Sequence, residues 1–177
     1  GWAIDCDESC SGNLDLTGIR GIAVYAFRGC RGLTSVTIPD SVTSIGDRAF
    51  SGCSGLEEIT LPFVGARRGN TGSSDFLFGH IFGQLSYAGG TKTTQYWSWS
   101  SSSHSDYYVP SKLEKVVITD ETVLGYGAFS GCSGLTSVTI PDSVTNIGEY
   151  AFSGCSGLDS MAIPNSVTSI GGYAFMG

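Results

Sequence analysis

The stretch "LTSVTIPDSVTSIGDRAFSGCSG" at 33–55 returns almost letter for letter as "LTSVTIPDSVTNIGEYAFSGCSG" at 135–157. Self-similarity at a fixed period marks an array of stacked units, so the phase of this repeat is the first thing to establish. Each unit opens on a leucine, at Leu33, Leu56, Leu113, Leu135 and Leu158, and the spacing is 23 residues from Leu33 to Leu56, 22 from Leu113 to Leu135 and 23 from Leu135 to Leu158. Between Leu56 and Leu113 the gap exceeds two such periods, so something irregular is lodged between them. Upstream, "IAVYAFRGCRG" at 22–32 aligns with "IGDRAFSGCSG" at 45–55, and "NLDLTGI" before it reads as a shortened first half. Downstream, "LDSMAIPNSVTSIGGYAFMG" at 158–177 breaks off one residue before its Cys, so the chain is expected to stop inside a repeat.

Within a unit, Val36 and Ile38 alternate with Ser35 and Thr37, the period of a strand with one buried face. Pro39 ends that strand because it offers no backbone donor, and Asp40 favours a turn; Pro62, Pro141 and Pro164 stand in equivalent places. A second extended piece then points Val42 and Ile45 inward. After Gly46, "DRAFSGC" brings Ala49 and Phe50 inside in a segment too short for an α-helix, which predicts a short 3₁₀ turn. One unit cannot bury its own Leu, Val, Ile and Phe, but coils stacked about 4.8 Å apart supply walls for one another.

A short strand-turn unit in the twenties of residues, closed by a small residue or Cys, is the pattern of a leucine-rich repeat. The wording "LTSVTIPDSVTSIGDRAFSGCSGL" resembles the BspA-like leucine-rich repeat family of bacterial and protist surface proteins, over 13–61 and 113–177. The resemblance implies a right-handed solenoid, an extracellular setting, and adhesion or recognition of proteins rather than catalysis. The expected organisation is one β-rich leucine-rich repeat solenoid over 1–177, with parallel strands, short 3₁₀ turns and little α-helix. Residues 1–12 form an N-terminal edge or cap, 13–61 and 113–177 the repeats, and 62–112 an irregular aromatic insertion rich in Gly and Ser.

Composition agrees with a packed chain. At 41% hydrophobic and 14% charged, 177 residues can bury a real core, and 26 glycines without a collagen period belong to recurring turns. A net charge of -7 and a pI near 4.6 argue against a grip on nucleic acid or anionic lipid, both of which need clustered Lys and Arg. No apolar run approaches a membrane span, so membrane insertion is not expected. "GWAIDCDESC" has neither an initiator Met nor the layout of a signal peptide, which reads as an excised or mature part of a longer exported protein.

Cys30, Cys53, Cys132 and Cys155 share one repeat phase and are expected to form a ladder of buried thiols behaving as small apolar side chains. In-register side chains run parallel, a poor geometry for disulfides, and the C-x-x-C pairs of a zinc site are missing. Cys6 and Cys10, in "CDESCSG" at the N-terminal edge, are a disulfide candidate, although Cys10 could instead open the Cys ladder. Catalysis has little to draw on. His80 and His104 are the two histidines, no H-E-x-x-H or G-x-S-x-G pattern occurs, and no cofactor or metal is implied.

Two surfaces remain for recognition. The exposed strand face carries columns of Ser35, Glu58, Lys115, Ser137 and Ser160, and of Thr37, Thr60, Val117, Thr139 and Ala162. The insertion carries Arg67, Arg68, Lys92 and Lys112 against Asp75 and Asp106, and packs aromatics among serines in "TKTTQYWSWSSSSHSDYYVPS". Its "FLFGHIFG" at 76–83 reads as a strand continuing the core, whereas Tyr96, Trp97, Trp99, Tyr107 and Tyr108 read as a contact surface, since rigid rings supply area at small entropic cost. The partners so implied are an extracellular or host protein first, then a glycan stacked on the rings, or a second copy joined through an open solenoid end.

Overall fold

The structure, a computed structural model, describes residues 1–3, 9–69, 73–100 and 102–177. Its strands in chain order are β1 (Trp2–Ala3), β2 (Ser11–Asp15), β3 (Gly21–Ile22), β4 (Gly32–Thr37), β5 (Glu58–Leu61) and β6 (Gly90–Tyr96). They continue with β7 (His104–Pro110), β8 (Lys115–Ile118), β9 (Val123–Leu124), β10 (Ser137–Thr139), β11 (Asn146–Ile147) and β12 (Ser169–Ile170). The first halves of the repeats stack as one parallel sheet in the order β2, β4, β5, β8, β10. The second halves form a shorter parallel sheet of β9, β11 and β12, with Ile22 bridged to Ile45 further along the array. The result is a parallel β-solenoid.

Repeat phase decides which side chains lie inside. Leu33, Val36, Ile38, Val42, Ile45, Ala49 and Phe50 of one coil are all buried, as are Leu135, Val138, Ile140, Val144, Ile147, Ala151 and Phe152 of its near-copy. The phenylalanines stack coil on coil: Phe27 on Phe50 at 5.2 Å, Phe129 on Phe152 at 5.2 Å, and Phe152 on Phe175 at 5.4 Å. The strand expected to carry Ser160 and Ala162 is not formed, and that stretch of the chain is largely exposed.

The corner before each buried Ala-Phe pair is built from i→i+3 hydrogen-bonded turns, such as Ala49 N–H to Gly46 O at 3.2 Å and Ala151 N–H to Gly148 O at 3.3 Å. The third residue of that turn is left-handed in every coil: Tyr25 at φ 62°, Arg48 at 57°, Gly127 at 63°, Tyr150 at 55° and Tyr173 at 58°. A left-handed residue stops the turn from propagating as a helix. Short 3₁₀ segments occur elsewhere, at Ser74–Phe76 and Phe78–Ile81.

Those two segments replace the strand anticipated over 76–83 and explain how the array survives its interruption. On the strand side nothing intervenes, because β5 pairs directly with β8, Glu58 opposite Lys115. At the corner, Phe50 N–H donates to Ile81 O at 2.9 Å, as Phe27 N–H donates to Ala49 O at 2.8 Å in the coil before. On its other side Phe78 N–H donates to Ala128 O at 2.9 Å, and the Phe78 ring lies 4.8 Å from Phe129 and 5.3 Å from Phe82. The inserted segment therefore supplies the corner of a missing coil, and Phe78 and Phe82 extend the aromatic column that runs through Phe129. Glu121, buried, ties down the start of the insertion: its carboxylate accepts from Val64 N–H at 3.4 Å and from Gly69 N–H at 3.1 Å.

Candidate functional site

The rest of the insertion is a regular antiparallel hairpin of β6 and β7, running from Gly90 opposite Pro110 to Tyr96 opposite His104. Gln95 fixes it to the solenoid. Fully buried, its side-chain oxygen accepts from Gly79 N–H at 2.7 Å, and its amide donates to Ala128 O at 3.2 Å. Two glycines let the hairpin backbone lie close against the repeat corner. A Cβ on Gly127 would overlap the Tyr96 carbonyl oxygen, and one on Gly131 would stand 3.0 Å from the Thr94 carbonyl oxygen. Gly127 occupies the left-handed position that neighbouring coils fill with Tyr or Arg, so the close approach and the backbone angle explain the same residue.

Docked this way, the hairpin tip brings Trp99 to the tyrosines of the corner. Its ring lies 6.0 Å from Tyr126 and 5.7 Å from Tyr150, edge-on to the latter at 90°. Tyr126 and Tyr150 are 5.4 Å apart, and Tyr150 stacks on Tyr173 at 5.2 Å. Trp99 is 68% exposed, an unusual state for so large an apolar side chain. Between hairpin and corner lies a cleft of about 440 Å³, lined by the rings of Tyr96, Trp99, Tyr126 and Tyr150 and by the hydroxyl residues Thr94, Ser98, Ser100, Ser130 and Ser153. Among the described residues its lining carries no charged side chain. Ser130 is 5% exposed, and its Oγ is buried with no hydrogen-bond partner among the described residues. Burial pushes the Tyr126 hydroxyl above the ordinary tyrosine range, with the neighbouring Tyr150 and Glu149 acting in the same direction, so the ring stays neutral.

The aromatic residues singled out in the insertion separate into different roles. Tyr96 and Trp99 reach the cleft. Tyr107 does not present a surface: it is 2% exposed, packs with Phe76 and Leu77, and donates its hydroxyl to Ser74 O at 3.1 Å. It faces inward because residues alternate across β7, and position 107 falls on the side turned to the 3₁₀ segments. Trp97, half-buried, packs against that cluster, and Tyr108 is half-buried beside the Tyr87 hydroxyl, which donates to its backbone oxygen at 2.9 Å. Tyr126, Tyr150, Tyr173 and Ser130 are not singled out by sequence because they lie within repeats. For Tyr150 and Tyr173 the signal is the second variable position of I-G-x-x-A-F, which also reads Tyr25 and Arg48 in phase, whereas Tyr126 stands at the first variable position and Ser130 follows the Phe.

The strand face has the expected columns, with Ser35, Glu58, Lys115 and Ser137 in one register and Thr37, Thr60, Val117 and Thr139 in another. Much of its polarity is satisfied internally. Lys115 Nζ pairs with Glu58 Oε1 at 2.9 Å, and Ser35 Oγ donates to Asn13 Oδ1 at 3.1 Å.

Cys30, Cys53, Cys132 and Cys155 are buried outside any disulfide; Cys53 Sγ donates to Phe27 O and Cys155 Sγ to Phe129 O, each at 3.1 Å. Burial pushes the Cys53 and Cys155 thiols up to about 12 and raises Cys132 strongly. Cys10 is disulfide-bonded, and Cys6 lies outside the described residues.

Parallel coils, an in-phase leucine and phenylalanine core and a continuous strand face define a leucine-rich repeat solenoid. The pattern of the BspA type leucine rich repeat region matches in six copies over residues 13–72 and 100–177, and the chain belongs to that family. Among solved structures, a leucine-rich repeat protein from Eubacterium ventriosum ATCC 27560 is 21% identical with a TM-score of 0.54, over 94% of this chain and 42% of its own. One from Bacteroides ovatus ATCC 8483 is 26% identical with a TM-score of 0.49, over 90% and 38%. A leucine rich cell surface protein from Faecalibacterium prausnitzii A2-165 is 25% identical with a TM-score of 0.39, over 93% and 44%. The chain thus spans about four tenths of the length of these relatives. No curated protein sequence matches it. Among the described residues no helix is long and apolar enough to cross a membrane.

Proposed function

We propose that this chain is a non-catalytic adhesion or recognition module of an extracellular, cell-surface protein, and that it engages its partner through the aromatic cleft between hairpin and repeat corner. The observation that carries this reading is the exposed Trp99 held against Tyr126 and Tyr150 by a hairpin that the buried Gln95 anchors just before its tip. Exposed rigid rings supply large apolar area to a contact, and such residues dominate binding energy. The strand face offers short hydroxyls and a neutralised ion pair, which bury little apolar area. Family membership supports a display scaffold, since solenoids build extended surfaces for binding.

The test is surface plasmon resonance of the whole chain over a panel of immobilised extracellular-matrix glycoproteins. Trp99→Ala should weaken binding by about thirtyfold, roughly 2 kcal/mol, with an unchanged melting temperature. The pair Glu58→Ser and Lys115→Ser should change it by less than about threefold. Loss of binding in the strand-face pair with full binding by Trp99→Ala would move the site to the sheet.

A further inference from the structure

Resting on that reading of the cleft as a recognition surface, we infer that the ligand it takes is a neutral carbohydrate, with a pyranose ring stacked on the exposed surface of Trp99 and a sugar hydroxyl bonded to Ser130. Three observations point the same way. The first is the shape of the aromatic wall. Trp99 is held edge-on against Tyr150, 90° apart at 5.7 Å, and still leaves 68% of its surface exposed, so a fixed indole presents a free face to the cleft. An aromatic face is electron-rich, and the C–H bonds on one face of a pyranose are polarised positive by the ring and hydroxyl oxygens, so the two faces attract when stacked.

The second observation is the unsatisfied hydroxyl. Ser130 is buried and its Oγ has no partner among the described residues, which costs free energy unless something else supplies the bond. A hydroxyl both donates and accepts, and a sugar hydroxyl does the same, so each can complete the other in either direction. Ser98 and Ser153 add further hydroxyls to the lining, giving polar contacts at the rim of an apolar floor. That distribution matches a sugar, apolar on its ring faces and polar at its edge.

The third is charge. Among the described residues the lining holds no Lys, Arg, Asp or Glu, so none of them pairs there with a sialic acid carboxylate, a sulfate or an ionic peptide side chain. At about 440 Å³ the cleft falls within the roughly 300–1,000 Å³ typical of small-ligand sites.

The experiment uses the full chain on an array of neutral, sialylated and sulfated glycans, followed by calorimetry with the neutral saccharide that binds best and, as charged comparator, a heparin tetrasaccharide. Binding to at least one neutral saccharide is expected, weakened tenfold or more in Trp99→Ala and threefold or more in Ser130→Ala, and largely retained in Trp99→Phe. Circular dichroism and melting temperature of each variant separate lost contact from lost fold. No neutral saccharide bound at about 5 mM, binding to charged glycans alone, or binding indifferent to Trp99 would overturn the inference. A glycoprotein surface stripped by glycosidases distinguishes the two levels. Trp99-dependent binding that survives stripping sinks the carbohydrate and leaves the recognition cleft standing, whereas binding that ignores Trp99 on treated and untreated surfaces alike removes both.

Discussion

Replacing Phe78 by Ala tests whether the insertion is structural in the same sense as a repeat. Phe78 has no exposed surface, and its ring touches Phe82 at 5.3 Å and Phe129 at 4.8 Å. Truncating a buried Phe to Ala costs about 3–5 kcal/mol, and each aromatic pair lost adds about 0.5–1.5 kcal/mol to a simple area estimate. With two ring partners, Phe78→Ala belongs in the upper half of that range. For a chain of this length the loss lowers the melting temperature by roughly 2–4 °C per kcal/mol, hence by about 8–20 °C. Coils couple only to their neighbours, so the lesion should also loosen the coils around Phe50 from those around Phe129, broadening or splitting the urea transition. Urea unfolding followed by far-UV circular dichroism and by tryptophan fluorescence reads both effects. Phe152→Ala, in a regular coil, should behave alike in magnitude. A loss below about 1 kcal/mol for Phe78→Ala, with a sharp transition, would mean that the insertion is an appendage rather than part of the array.

Gly127→Ala should destabilise by about 2 kcal/mol or more, since φ is 63° and the new Cβ meets the Tyr96 carbonyl oxygen, whereas Gly134→Ala, with only Leu113 O at 3.8 Å, should stay within about 0.5 kcal/mol; thermal shift of both variants decides. Cys53 and Cys155, with thiols raised to about 12, present a thiolate fraction near one in ten thousand at pH 8, so iodoacetamide should label them slowly until denaturant is added, and rapid labelling in buffer read by mass spectrometry would contradict their burial. His80 is held below its ordinary value of 6.5 chiefly by burial, despite the opposing pull of Asp47. The unfolded chain therefore takes up the proton first, and stability should fall as pH drops below 6.5; His80→Gln should flatten that slope in urea titrations between about pH 6.5 and pH 5.

The repeat made most of this architecture readable in advance, because a phase repeated at Leu33, Leu56, Leu113 and Leu135 assigns the same inward and outward roles to every coil. The columns pairing Glu58 with Lys115 and Thr37 with Thr60 follow directly from that phase. What period alone could not supply lay in the insertion. "FLFGHIFG" alternates like a strand, yet its glycines and its place at a repeat corner, where neighbouring coils also turn, make it two short 3₁₀ segments. Tyr107 and Trp99 look alike as aromatics in a serine-rich context, and only the pairing of β7 with β6 turns one inward and leaves the other at the tip. The partners of Trp99 come from coils well further along the chain, so the cleft forms only when the hairpin docks.

In this structure the insertion takes the place of a coil at the repeat corner and thereby sets the aromatic cleft on the solenoid. Amide hydrogen exchange at the junctions addresses it most directly, through the Arg48 N–H bonded to His80 O, the Phe50 N–H bonded to Ile81 O and the Phe78 N–H bonded to Ala128 O. Protection of these three amides should equal that of Phe129 N–H, which bonds Ala151 O between two regular coils. Exchange of the three at the rate of exposed loop amides, with Phe129 still protected, would contradict the account.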